Sequence, residues 1–350
     1  MITKRFFGTT KNGEDVHAYT LENDRGVSVT VLDYGATLQS VVLTHKGERI
    51  DVLLGYDTIE EYEQNDGYLG VCIGRYAGRI PNAVLKLGGR SYPLAVNDNV
   101  NHLHGGRRGF DKYVFSAVCE GNSVTFFRRS PDGEEGYPAS LEVSVSFTLD
   151  DTDTLSIAFR GVSDGVTCWN PTNHAYWNLN GHDSGNVFDH TLTLPADRFV
   201  PTDDTLIPIS DPVPVDGTPF DFRQPKTLGR DIHGDPIQLP NGYDHSFVLN
   251  GDPIELSGTV GIAMRIETDS RAVQLYTANF LTDRTGKGGT RYLPQHAVCL
   301  ETQARQIPKD GALPQESILP ANTPVTHTTR YRFLFNRRQY GIHSGHADNI

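Results

Sequence analysis

A single, large, antiparallel β-sandwich with few short helices is the fold the sequence predicts. Three observations predict it: apolar residues recur with a period of two, helical signals are scarce, and glycine and proline are spread along the chain instead of being gathered in one linker. The clearest alternation is Leu141, Val143, Val145, Phe147 and Leu149 against Glu142, Ser144, Ser146 and Thr148. After a turn at Asp150–Asp153 it resumes in Leu155, Ile157 and Phe159, which reads as a hairpin with one buried and one wet face. Shorter runs at Val27–Leu32, Leu38–Leu43, Val124–Phe127 and Tyr331–Phe335 predict further strands. Val84–Leu87 and Ser91–Leu94 around Gly88-Gly89 predict a two-glycine hairpin. The best helical signal is Thr58–Gln64, with Glu60 and Glu61 near its start. The proline-rich stretch from Pro201 to Pro225 reads as a long surface excursion. Residues 1–338 are expected to form one domain, and 339–350 a polar tail.

Composition removes several function classes. A net charge of −12 repels polyanions, so nucleic acid is disfavoured as a partner. No window approaches the roughly 18 apolar residues a membrane span needs, and Met1–Gly8 lacks the apolar core of a secretory signal. Cys72, Cys119, Cys168 and Cys299 lie far apart, in or beside apolar runs, where a free thiol acts as a small hydrophobe. A reduced, cytoplasmic protein is the expectation, as a monomer or homodimer.

The chemistry gathers in six polar clusters that interrupt the strand pattern: Gly74–Ile80, Asn101–Gly106, Pro171–Leu179, Gly242–Leu249, Val273–Phe280 and Leu300–Gln303. Singly each has a bland reading. His102 and His104 could cap a turn, Glu301 could mark a strand's wet edge, Asp244 could make an Asx turn and Arg79 a surface ion pair. Together they supply acids, bases and sugar hydrogen-bonding groups, with Tyr76, Tyr176, Trp177 and Tyr243 available for the apolar face of a pyranose. Neither phosphate-cradling glycine pattern, G-x-x-x-x-G-K-[ST] or G-x-G-x-x-G between a strand and a helix, is present.

These strings, GRYAGRI, NHLHGG, PTNHAYWNL, GYDHSFVL, VQLYTANF and LETQ, in this order across nearly the whole chain, resemble the aldose 1-epimerase (galactose mutarotase) family. The resemblance implies a one-domain β-supersandwich with a cleft across one sheet. It implies a cofactor-free and metal-free enzyme that interconverts the α and β anomers of free aldohexoses such as galactose and glucose. Carried over position by position, His174 matches the general acid, Glu301 the general base, and His104 the histidine that hydrogen-bonds near the ring oxygen. Arg79, Asp244, Gln274 and Tyr176 match substrate-binding positions. One departure stands out: Gly78 occupies the position before the arginine where the family commonly has asparagine, and Asn82 is the nearby amide that could replace it.

The residue types suit the reaction. Opening a hemiacetal takes a proton from the C1 hydroxyl and gives one to the ring oxygen; the C1–C2 bond turns, and closure reverses the transfers. One acid and one base suffice, each typically contributing about 10²–10⁴-fold. Histidine, ordinarily near pKa 6.5, is expected to offer both protonation states at neutrality. A carboxyl on an apolar strand is expected to have its pKa raised by desolvation. Four rival readings stand beside this one. A glycoside hydrolase would pair Asp244 with Glu301, about 6.5–9.5 Å apart if inverting. A metal site would draw on His102, His104, His174 and Glu301. A sugar sensor would not need both His174 and Glu301. A hexose-6-phosphate 1-epimerase would gather Arg75, Arg79, Arg107 and Arg108 around a phosphate.

Overall fold

The computed structural model describes residues 1–235, 241–308 and 310–335; the expected tail at 339–350 lies outside the described residues. Strand accounts for 45% of the structure and helix for 7%, so the all-β expectation holds. Among the described residues three antiparallel sheets dominate. The largest orders its nine strands Ser116–Glu120, Ser123–Ser130, Leu141–Leu149, Thr154–Ser163, Val325–Phe335, Ile262–Thr268, Ile254–Ser257, Thr191–Thr193 and Lys226–Thr227. The hairpin read from the alternation is there: Leu141 faces Ser163 and Leu149 faces Leu155, with the odd-numbered residues of Leu141–Leu149 buried. The strand latest in sequence, Val325–Phe335, lies in the middle of this sheet.

A second sheet is a meander of Ile2–Thr9, Asp15–Glu22, Ser28–Leu32, Thr37–His45 and Glu48–Asp51. Here the period-two reading needs correction, because all of Ser28–Leu32 and the first five residues of Thr37–His45 are buried. The reason is that both faces are covered. Val29, Val31, Leu38 and Val41 join the main core, while Leu32, Val16 and Ala18 join a second cluster that includes Tyr62, Tyr176 and Tyr276. The predicted helix is Ile59–Glu63, bracketed by Thr58 as N-cap and Gln64 as C-cap. The Thr58 hydroxyl accepts from the Glu61 N–H while the Glu61 carboxylate accepts from the Thr58 N–H, a capping box worth about 1 kcal/mol. Gly88 and Gly89 close the Val84–Leu87/Arg90–Pro93 hairpin with positive φ at both positions.

The third sheet orders Val213–Pro214, Arg198–Phe199, Asp244–Val248, Ala272–Tyr276 and Cys299–Gln303. Residues of all three sheets share one core, Phe147 and Met264 from the first, Val31 and Leu38 from the second, Leu275 and Leu300 from the third. The segment from Pro201 to Pro225 is more than a surface excursion. It lends an edge strand at Val213–Pro214 and buries Val215, Phe220 and Phe222, with Phe220 stacked on Phe199 at 3.9 Å. Three cysteines are buried as expected; Cys119 is exposed, because although it shares a face with buried Val124 it stands on an edge strand with nothing beyond it in the sheet.

Candidate active site

The third sheet sorts its side chains by period two. Phe247, Val273, Leu275 and Leu300 enter the core, so their neighbours Asp244, Gln274, Tyr276, Glu301 and Gln303 take the other face, where they line a cavity of about 360 Å³. Register builds the floor of that cavity: Ser246 stands opposite Gln274, which stands opposite Glu301, and Asp244 opposite Tyr276 one pair further along. Glu301 thus belongs to an apolar strand without being its wet edge; it is 3% exposed.

His174 comes from a different part of the chain. It follows the short strand Thr172–Asn173, paired with Cys72–Ile73, and its backbone is held by Val71 and Gly70. The Thr172 hydroxyl donates to the Thr302 carbonyl at 2.9 Å, tying this segment to the residue beside Glu301. The outcome is His174 Nε2 at 3.6 Å from Glu301 Oε1, with both side chains at least 95% buried. Thr172→Val keeps the shape and removes the tie. It is expected to cost about 1 kcal/mol of stability and to lower turnover more than it raises KM. Thermal melts and initial rates check this; unchanged turnover would show that the pairing does not depend on the bond.

Two tyrosines enclose the imidazole: Tyr176 stacks on it at 5.0 Å and 14°, Tyr68 at 6.1 Å and 17°. The Tyr176 hydroxyl is already committed, donating to the Gly67 carbonyl, so this residue backs His174 with its ring. His104 meets His174 edge-on at 5.4 Å. The Gly78 N–H donates to His104 Nδ1 at 3.2 Å, and the His104 N–H returns a bond to the Gly78 carbonyl. A backbone N–H can only donate, so Nδ1 accepts and Nε2 of the neutral ring carries the proton. His104 is therefore a donor. The following glycine is required: a Cβ on Gly105 would lie 1.9 Å from the Gly74 carbonyl oxygen.

Arg79 lines the cavity while its Nε donates to Asp98 at 2.7 Å, a partner that aims the guanidinium. Asp244 accepts from Gln274 Nε2 at 2.7 Å, and Gln274 Oε1 accepts from Gln306. All six of His104, His174, Glu301, Arg79, Asp244 and Gln274 face one cavity, with Tyr176 and Gly78 in its wall. Asn82 is exposed and outside it, so it does not replace the missing asparagine.

Burial sets the electrostatics. It drives the His174 imidazole down to about 3, and the Glu301 carboxyl well above the usual carboxylate range, with Asp244 adding to the rise and Arg79 opposing it. Asp244 is raised by burial and restrained by Arg79. The carboxyl shift expected for Glu301 is present. The expectation that His174 titrates near neutrality does not hold, because water no longer solvates its charged form. Burial favours the uncharged form of both groups.

Several readings are corrected. Trp177 and Tyr243 are core residues and Tyr76 belongs to a separate apolar cluster, so none offers a face to a sugar; the aromatic lining is Tyr68, Tyr176, Tyr276 and Phe280. Gln303 and Tyr276 were legible as the period-two neighbours of Glu301 and Gln274. Tyr68, in the turn after the helix with φ +58°, had no signal. His104, His174 and Glu301 do offer ligand atoms within 4.8 Å of one another. His102 points elsewhere, donating from Nδ1 to the Ala95 carbonyl and accepting from the Tyr137 hydroxyl. With its Nε2 protonated, His104 is set to donate a hydrogen bond and not to give a metal a lone pair. Arg75 is buried against Ser130 and the carbonyls of Pro131, Pro138 and Ala139, and of the four proposed phosphate-binding arginines only Arg79 lines the cavity.

Comparison with known proteins is consistent across the chain. The family model described as Aldose 1-epimerase matches residues 17–332. Galactose mutarotase of Homo sapiens is 38% identical over 341 residues, covering 95% of this chain and 98% of that protein. Aldose 1-epimerase of Escherichia coli K12 is 34% identical over 335 residues, 92% of this chain and 96% of that protein. Among solved structures, galactose 1-epimerase from Lactobacillus acidophilus superposes with a TM-score of 0.85 at 31% identity, covering 96% of this chain and 99% of that one.

Proposed function

The chain belongs to the aldose 1-epimerase family, and from that premise we propose that His174 and Glu301 exchange protons with the two oxygens of one hemiacetal. The protein is an isomerase of carbohydrates, interconverting the α and β anomers of free aldohexoses such as galactose and glucose. The observation that carries the residue assignment is the 3.6 Å approach of His174 Nε2 to Glu301 Oε1 on the floor of the cavity. A volume of about 360 Å³ lies at the small end of the roughly 300–1,000 Å³ usual for ligand pockets, which suits one sugar ring.

The single proton of the pair gives the reaction its two ends. With Glu301 ionised and His174 protonated, the carboxylate takes the C1 hydroxyl proton while the imidazolium protonates the ring oxygen. The ring opens, and the proton has in effect passed to Glu301 through the substrate. Rotation about C1–C2 presents the other face of the aldehyde, and closure returns the proton to His174. The pair's net charge is zero throughout, so a buried site never holds an uncompensated charge. The transient imidazolium lies between the faces of Tyr68 and Tyr176, a cation–π environment worth about 0.5–2 kcal/mol. His104, with Nε2–H as donor, supports the ring oxygen. Arg79 and Asp244 hold hydroxyls while the aldehyde turns, the guanidinium donating in a fork and the carboxylate accepting.

An imidazole 3.6 Å from the carboxyl favours this reading over a two-carboxyl hydrolase. All the groups named come from one chain, so a monomer suffices. Three buried free thiols suit a reducing, cytoplasmic setting; among the described residues no helix is long and apolar enough to cross a membrane. Polarimetry of freshly dissolved α-galactose and α-glucose tests the function. The expected result is an accelerated approach to the equilibrium rotation that persists in EDTA, with no aglycone released from a nitrophenyl galactoside.

A further inference from the structure

Among the described residues the side-chain oxygen of Gln303 has no hydrogen-bond partner. The residue is 2% exposed, and its Nε2 meets no protein acceptor among the described residues. A buried primary amide with an unmet group is costly, and its place in the cavity wall points to a ligand. It belongs to the cavity wall and to the same sheet face as Glu301, two residues along the strand and hence about 7 Å away. Gly78 is what leaves it accessible: a Cβ there would meet nothing nearer than Gln303 Nε2 at 3.9 Å, and its left-handed backbone, φ +85°, disfavours most side chains.

We propose that Gln303, left uncovered by Gly78, is a specificity-determining residue that hydrogen-bonds the hydroxyl of the aldose C2, the carbon next to the reacting one. This rests on the proton-transfer roles given above to Glu301 and His174. The residue rows of the sheet place the contact. Asp244 and Tyr276 form one row, Gln274 and Glu301 the next, and Ala272 and Gln303 the one beyond. A sugar whose C1 hydroxyl sits over Glu301, with His174 at its ring oxygen, has the Asp244 row on one side and the Gln303 row on the other. The remaining neighbour of C1 is C2, and its hydroxyl falls to the amide, which donates to it from Nε2. Anchoring that hydroxyl also defines the motion of the open chain: C2 stays fixed while the aldehyde turns.

The test is Gln303→Met, which keeps the length and removes the amide, assayed on galactose and on 2-deoxygalactose. The expected result is a kcat/KM about tenfold lower on galactose, close to the loss of one hydrogen bond, no loss on 2-deoxygalactose, and an unchanged melting temperature because no protein bond is broken. Equal losses on both sugars, or none on either, would overturn the proposal. A native protein that accelerates neither sugar would remove the acid–base reading on which it rests, and that outcome is separable because it appears before any substitution is made.

Discussion

Glu301→Gln is expected to lower kcat for anomer interconversion by about 10²–10⁴-fold, the usual contribution of a positioned general base, with KM changed little. Glutamine retains the shape and can still accept from a sugar hydroxyl, so binding survives, but it cannot take the proton that opens the ring. Stability should hold or rise, because a buried carboxyl whose ionisation is penalised by desolvation is replaced by a neutral isostere. Initial rates by polarimetry and a thermal melt measure both quantities. A turnover within threefold of the native value in a folded protein would remove Glu301 from the chemistry.

His174→Gln is expected to produce a loss of similar size, and the double substitution with Glu301→Gln should be no slower than the slower single variant. Two groups that pass one proton through the substrate act as a unit, and the second substitution then has nothing left to remove. The native pH profile carries the companion expectation. With burial holding the imidazole near 3, kcat/KM should show no acid limb at the ordinary histidine value of about 6.5; the active one-proton state is lost only where the pair binds a second proton at lower pH. The alkaline limb should lie above the ordinary carboxylate range, where the raised Glu301 gives up its proton. A limb near 6.5 that disappears in His174→Gln would mean that the imidazole is solvated in the working enzyme. Multiplying single losses in the double variant would mean that the two groups act independently.

How much of this was legible can be judged strand by strand. Leu141–Leu149 announced itself because one face is core and the other partly solvated, so polarity alternates. Ser28–Leu32 gave a weaker pattern because both its faces are covered. The helix was legible to within a residue because its boundary is local chemistry, Thr58 and Glu61 satisfying each other. The site was legible as an inventory and through the family resemblance, but its assembly was not. That His174 meets Glu301 depends on sheet register and on the bond from Thr172 to Thr302, a pairing across 130 residues that local pattern does not encode. Trp177, Tyr243 and Tyr76 were misread for a related reason: an aromatic beside a polar motif looks the same whether it faces a ligand or the core. The tautomer of His104 came only from seeing which backbone N–H its ring accepts.

The central position of Val325–Phe335 bears on how the protein is made. On its two flanks lie Thr154–Ser163 and Ile262–Thr268, and its Thr329 hydroxyl bonds that of Thr302, next to Glu301. On the ribosome, then, two half-sheets must wait with unpaired edges until this keystone emerges, an interval in which nascent chains are prone to cling to one another. A chain ending before Val325 is expected to lack the anchor that Thr329 gives the cavity floor, which is set only when the sandwich closes.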